Sequence, residues 1–97
     1  MRTLEEIMYI INQHNSEIMR NYNVKQIGIF GSYIHSKQKK KSDVDLLIEF
    51  SKTPSLFRFI ELENYLTEIL GVKVDLVMKS ALKPAIGKRI LNEVVYL

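Results

Sequence analysis

The run Val44–Phe50 constrains this chain more than any other segment. Leu46, Leu47 and Ile48 are consecutive, so a strand built from the run has no polar side to turn to water. Strands of that kind sit in sheets covered on both faces. The neighbouring segments must supply the covering layers, and their patterns predict them. Leu4, Ile7, Met8, Ile11, Ile18 and Tyr22 recur at helical spacing behind Thr3 and Glu6, a capping-box pair. Asn21 and Asn23 offer left-handed stops, so the spacing predicts one helix ending near Arg20. A second helix is expected after the Ser51–Ser55 turn, with Leu56, Phe59, Ile60, Leu66, Ile69 and Leu70 apolar and Gly71 closing it. A last helix is expected from Pro84 through Ile86, Ile90, Leu91 and Val94, with Gly87 a weak point in its first turn.

Two further strands are predicted: Val24–Phe30, closed by Gly31, and Val72–Met78. Gly31-Ser32 reads as a sharp turn into a short helical turn through Ile34, and Lys37–Lys41 as a polar loop. The order helix, strand, short helix, strand, helix, strand, helix predicts an α/β (α+β) fold. A small mixed, twisted sheet is flanked by helices in a single domain over residues 1–97. With 46% hydrophobic and 26% charged residues, the chain is expected to be globular rather than disordered. It has no cysteine, which excludes disulfides, zinc knuckles and thiol nucleophiles and suits a reducing cytoplasm. No signal-peptide core or bilayer-length apolar run is visible. The net charge of +3 is too small to choose among polyanionic partners.

Acidic residues carry the chemistry. Asp43 and Asp45 flank Val44 at a strand start, so both carboxylates project to one side. Each raises the other's pKa, and a divalent cation relieves the repulsion. Magnesium takes oxygen ligands and typically one or two carboxylates with substrate phosphates. Taken alone, such a pair more often caps backbone amides or faces water. Two other features change the balance. Gly31 allows close backbone approach to a ligand, and a helix starting at Ser32 would aim amides and a hydroxyl at a phosphate, although Ser32 as a plain helix cap is the simpler reading in isolation. Asp75 lies in an otherwise apolar strand, a costly place unless it reaches the sheet's end or has partners. If its strand neighbours Val44–Phe50, the three aspartates make a triad suited to two-metal phosphoryl chemistry.

The segment Ile29-Phe30-Gly31-Ser32, ten residues, then Asp43-Val44-Asp45-Leu46-Leu47-Ile48-Glu49-Phe50 resembles the signature of the DNA polymerase β-like nucleotidyltransferase superfamily. Lys73-Val74-Asp75-Leu76-Val77, Leu82-Lys83-Pro84 and Arg89-Ile90-Leu91-Asn92-Glu93 resemble the minimal nucleotidyltransferase (MNT) family. That resemblance implies that Gly31 and Ser32 hold the β- and γ-phosphates of ATP, and that Asp43 and Asp45 bind two magnesium ions. It implies that Asp75 binds one metal and positions or deprotonates the attacking hydroxyl. It further implies an antitoxin that moves AMP from ATP to a tyrosine of a partner HEPN-domain ribonuclease toxin, with no membrane and no direct nucleic-acid contact, and with homo- or hetero-oligomers equally open. Other acceptors (RNA, a small alcohol, an antibiotic hydroxyl) and a non-catalytic binding module acting by occlusion are the alternatives. The chain departs from the family at Ile34-His35-Ser36, where Ala-Arg-Gly is common. His35 is then expected to be a solvated loop residue in place of a fixed cation. The lysine tract is expected to be a solvated loop, with phosphate, toxin-surface or RNA contacts as its other readings.

Overall fold

The computed structural model describes residues 2–35, 37–38 and 42–97. The elements run α1 (Leu4–Gln13), α2 (Asn15–Tyr22), β1 (Val24–Phe30), β2 (Val44–Phe50), α3 (Leu56–Leu70), β3 (Val74–Met78), α4 (Pro84–Glu93) and β4 (Val95–Tyr96). Tight 3-10 turns lie at Gly31–Tyr33 and Lys79–Ala81. The sheet order is β3-β2-β1-β4, with β1 antiparallel to β2 and β4, and β2 parallel to β3. The mixed sheet flanked by helices is the expected fold. Its most apolar strand, β2, sits inside it.

Both faces of β2 are covered: Leu46, Leu47 and Ile48 are each at most 1% exposed. On one face Ile7 and Ile11 of α1, Ile18 of α2, and Leu62, Leu66 and Leu70 of α3 join Ile27, Ile29, Val44, Leu46, Ile48, Val74 and Leu76 in a single cluster. By the alternation of strands, the other face carries Gly28, Phe30, Asp45, Leu47 and Asp75. The side chains of Val94 and Tyr96 lie against it at Gly28, where an added Cβ would stand 2.4 Å from Val94 Cγ2. Only glycine admits that approach.

Three elements differ from expectation. The first helix is two, broken at His14. In a continuous helix the His14 N–H would bond the Ile10 carbonyl. Here the His14 ring takes that carbonyl through Nδ1 at 2.9 Å, and its N–H turns to Ile11 O at 3.1 Å. Ile7, Ile11 and Ile18 share one face either way, so apolar periodicity is blind to the break. β3 begins at Val74 rather than Val72, because pairing with β2 starts at Val44↔Val74. β4 is an unforeseen strand: Val94 ends α4 rather than continuing it, and Val95 and Tyr96 pair with Ile29 and Gly28. Asn23 and Gly71 are the left-handed helix stops that the sequence suggested. Lys39, Lys40 and Lys41 of the lysine loop lie outside the described residues, while Lys37 is exposed. Among the described residues no helix is long and apolar enough to cross a membrane.

Candidate active site

The parallel pairing of β2 with β3 sets Asp45 opposite Asp75. Residues in register on adjacent strands share a face, and the strands lie about 4.8 Å apart. These two carboxylates therefore stand side by side at the amino ends of both strands. Asp43, two residues before Asp45, acts electrostatically on Asp45 and on the hydroxyl of Tyr33. β1 runs antiparallel and brings its carboxyl end here, with Phe30 paired to Asp45. Gly31 follows immediately, with φ at +80°. A Cβ on Gly31 would lie 2.1 Å from Asp45 Oδ2, so both backbone angle and space demand glycine.

The turn Gly31–Tyr33 is bolted down by Tyr33, 1% exposed within the core. It closes with Ile34 N–H to Gly31 O at 3.1 Å and Lys37 N–H to Ser32 O at 2.9 Å. The expected helix from Ser32 is only this three-residue turn, and the residue before it, Phe30, makes no side-chain cap. Ser32 is half-buried beside the acidic residues' end of the sheet, not a helix cap.

Electrostatics single out Asp45. Burial first, then the charges of Asp75, Asp43 and Glu93, push its carboxyl from 3.8 up to about 6. A carboxylate so placed is an unfavourable anion waiting for a counter-charge. Among the described residues no three acidic, imidazole or thiol side chains are already gathered as a cation cage. The two observations are compatible: magnesium completes its shell with phosphates and water rather than a closed protein cage. The all-oxygen donor set and the raised Asp45 fit such an ion. A cavity of about 280 Å³ lined by Glu49, Met78 and Lys79 lies at the far, carboxyl ends of β2 and β3.

Glu93, the last residue of α4, also reaches the site. Its Oε1 accepts from Gly31 N–H at 3.2 Å, and its Oε2 lies 2.6 Å from His35 Nε2. The His35 bond first, and the Gly31 amide after it, hold the Glu93 carboxyl below its usual range. His35 is thus not merely solvated. It is half-exposed but engaged with a carboxylate 58 positions away. No spacing rule links Gly31, His35 and Glu93; only its place in the Arg89–Glu93 motif drew attention to Glu93 beforehand.

Residues 11–97 match the nucleotidyltransferase domain family. This chain belongs to that family. The nucleotidyltransferase is 53% identical over 96 residues to the protein adenylyltransferase MntA of Thermococcus cleftensis, spanning 99% of this chain and 97% of that protein. It is 47% identical over 97 residues to a proposed protein adenylyltransferase of Methanocaldococcus jannaschii, covering 99% of each. A solved chain described as a proposed minimal nucleotidyltransferase superposes with a TM-score of 0.76 at 25% identity, over 94% of this chain and 95% of that one. A tri-AMPylated Shewanella oneidensis HEPN toxin in complex with an MNT antitoxin gives 0.67 at 20% identity, over 93% of this chain and 70% of that one. The last likeness establishes fold alone. As a nucleotidyltransferase the chain is an enzyme with a nucleotide substrate, of a family that typically employs a divalent metal.

Proposed function

We propose that this nucleotidyltransferase moves AMP from ATP to a tyrosine hydroxyl of a partner HEPN-domain toxin, acting as its antitoxin in the cytoplasm through the single domain of residues 1–97. The observation that carries the reading is the register of Asp45 with Asp75 beside the Gly31 turn. The group transferred is supported by the MntA relative's name, protein adenylyltransferase. A HEPN toxin as the acceptor protein is supported by the solved complex in which an MNT antitoxin accompanies a tri-AMPylated HEPN toxin; its tyrosine hydroxyl is what the family resemblance implies.

Asp43 and Asp45 would hold two magnesium ions, with Asp75 sharing one of them. When bound, the ions supply charge neutralisation for entering and leaving oxygens. The protein's own part is positioning, which carries most phosphoryl-transfer catalysis. The amides and hydroxyl of Gly31 and Ser32 hold the β- and γ-phosphates. Asp75, the most exposed of the three aspartates by its place on β3, orients the acceptor hydroxyl and takes its proton. The hydroxyl oxygen bonds the α-phosphorus, the bond to the β-phosphate oxygen breaks, and pyrophosphate departs.

The test is transfer from α-labelled ATP to the co-purified toxin. Asp43→Asn and Asp45→Asn are each expected to reduce transfer by at least 100-fold while leaving the fold intact. Undiminished transfer by both variants would reject the mechanism. Neutralisation of the toxin by a variant lacking all three carboxylates would show that occlusion suffices.

A further inference from the structure

We infer that Glu93 is a positioning residue for nucleotide binding: its carboxylate, braced by His35, fixes the Gly31 turn in its phosphate-holding shape. The inference rests on the site reading above and adds a residue to it. Gly31 sits at a positive φ and needs its peptide held in one orientation, because that orientation decides where the next amides point. Tyr33 secures the far side of the turn in the core. The near side is held by Glu93, whose Oε1 accepts from Gly31 N–H at 3.2 Å. Its second oxygen is taken by His35 Nε2 at 2.6 Å.

Two elements fix that carboxylate in place. It ends α4, and β4 then pins the following residues to β1 at Ile29 and Gly28, two and three positions before Gly31. The brace is thus tied to the strand that delivers the turn. Glu93 carries a fourth negative charge toward Asp45, which no purely electrostatic design for binding a triphosphate would add. Its presence there is explained by geometry: one carboxylate fixes a backbone donor with one oxygen and bonds the His35 ring with the other. Position 35 accordingly serves the turn through Glu93 and does not reach toward the phosphates.

Equilibrium titration of magnesium-ATP and initial-rate kinetics are compared for the parent chain, Glu93→Ala, Glu93→Gln, His35→Ala and the double variant H35A/E93A. Amide NMR of Gly31 and thermal unfolding are recorded in parallel. Glu93→Ala is expected to weaken ATP binding and raise KM about tenfold, with kcat changed less than threefold, and to move the Gly31 amide resonance. Glu93→Gln keeps an acceptor for Gly31 N–H and is expected to restore most of the affinity. His35→Ala weakens binding alone but adds little once Glu93 is gone, since both act through one carboxylate. Tighter ATP binding in Glu93→Ala would overturn the inference, making the carboxylate a competitor of phosphate. Additive losses from His35 and Glu93, or an unmoved Gly31 amide, would overturn it too. If Glu93→Ala does not fold, Glu93→Gln and His35→Ala decide by the same affinities. Loss of transfer in the parent chain itself would instead fault the functional reading, and the Gly31 resonance still reports on the brace.

Discussion

Asp45 shows how one residue can serve a site at the expense of the fold. Its carboxyl is raised from 3.8 to about 6, so the ionised form opposes folding at neutral pH. The sign follows from proton uptake. Above pH 6 the penalty is full; between pH 6 and 4 the folded chain takes up a proton before the unfolded chain does, and the penalty fades. Because the side chain is only partly buried, solvent screening brings the cost to about 1 kcal/mol. Asp45→Asn is therefore expected to raise Tm by about 4–8 °C at pH 7.5 while abolishing transfer, and the gain should shrink toward zero by pH 4. Thermal scans of both proteins across that range check it. A lower Tm for the variant at pH 7.5 would contradict an unfavourable charge at this position.

At the scale of elements, β3 is an edge strand, and the outward N–H groups of Val74 and Leu76 are already spoken for. Thr67 Oγ1 of α3 accepts from Val74 N–H at 3.1 Å, and Glu63 Oε2 accepts from Leu76 N–H at 3.0 Å. α3 thus covers the inner face of the sheet and closes its edge with the same turns. Exposed edges invite pairing with other chains, so this closure protects the strand that carries Asp75. Thr67→Val and Glu63→Ala are each expected to cost about 1–2 kcal/mol. The double variant should also self-associate with rising concentration. Thermal unfolding reads the first effect and sedimentation the second; a stable, monomeric double variant would show that the edge needs no closure.

For the whole molecule, three strands converge with the right ends together. β1 arrives at Gly31 as β2 and β3 depart from Asp45 and Asp75, because β1 is antiparallel to β2 while β3 is parallel to it. Acidic groups assembled from separate segments repel one another in the folded state only, so a bound cation should stabilise the fold as a whole. Magnesium-ATP at 100 times its Kd is expected to add about 2.7 kcal/mol of stability. The increment should be smaller at pH 5.5 than at pH 7.5, since protons compete at Asp45, whose carboxyl titrates near 6. A differential scan with and without magnesium-ATP measures it. An equal increment in a variant lacking all three aspartates would place nucleotide binding elsewhere.

Much of this was legible along the chain. Apolar spacing located the helical segments and the three main strands, because burial imposes a period on each kind of element wherever it lies. The consecutive apolar residues of β2 announced a doubly covered strand. Gly31, Ser32, Asp43, Asp45 and Asp75 were picked out by residue type and by motif spacing. What the sequence could not decide was adjacency. Whether Asp75 meets Asp45 depends on the order and direction of strands, and the structure settles their register as neighbours on one face. The break at His14 depends on a ring competing for a carbonyl, which leaves the apolar period unchanged. β4 is too short to carry a period of its own and exists because β1 offers it a partner. The clasp of Gly31 and His35 by Glu93 joins residues 62 and 58 positions apart. Local patterns record which surfaces must be buried; which distant groups then meet is fixed only when the layers close.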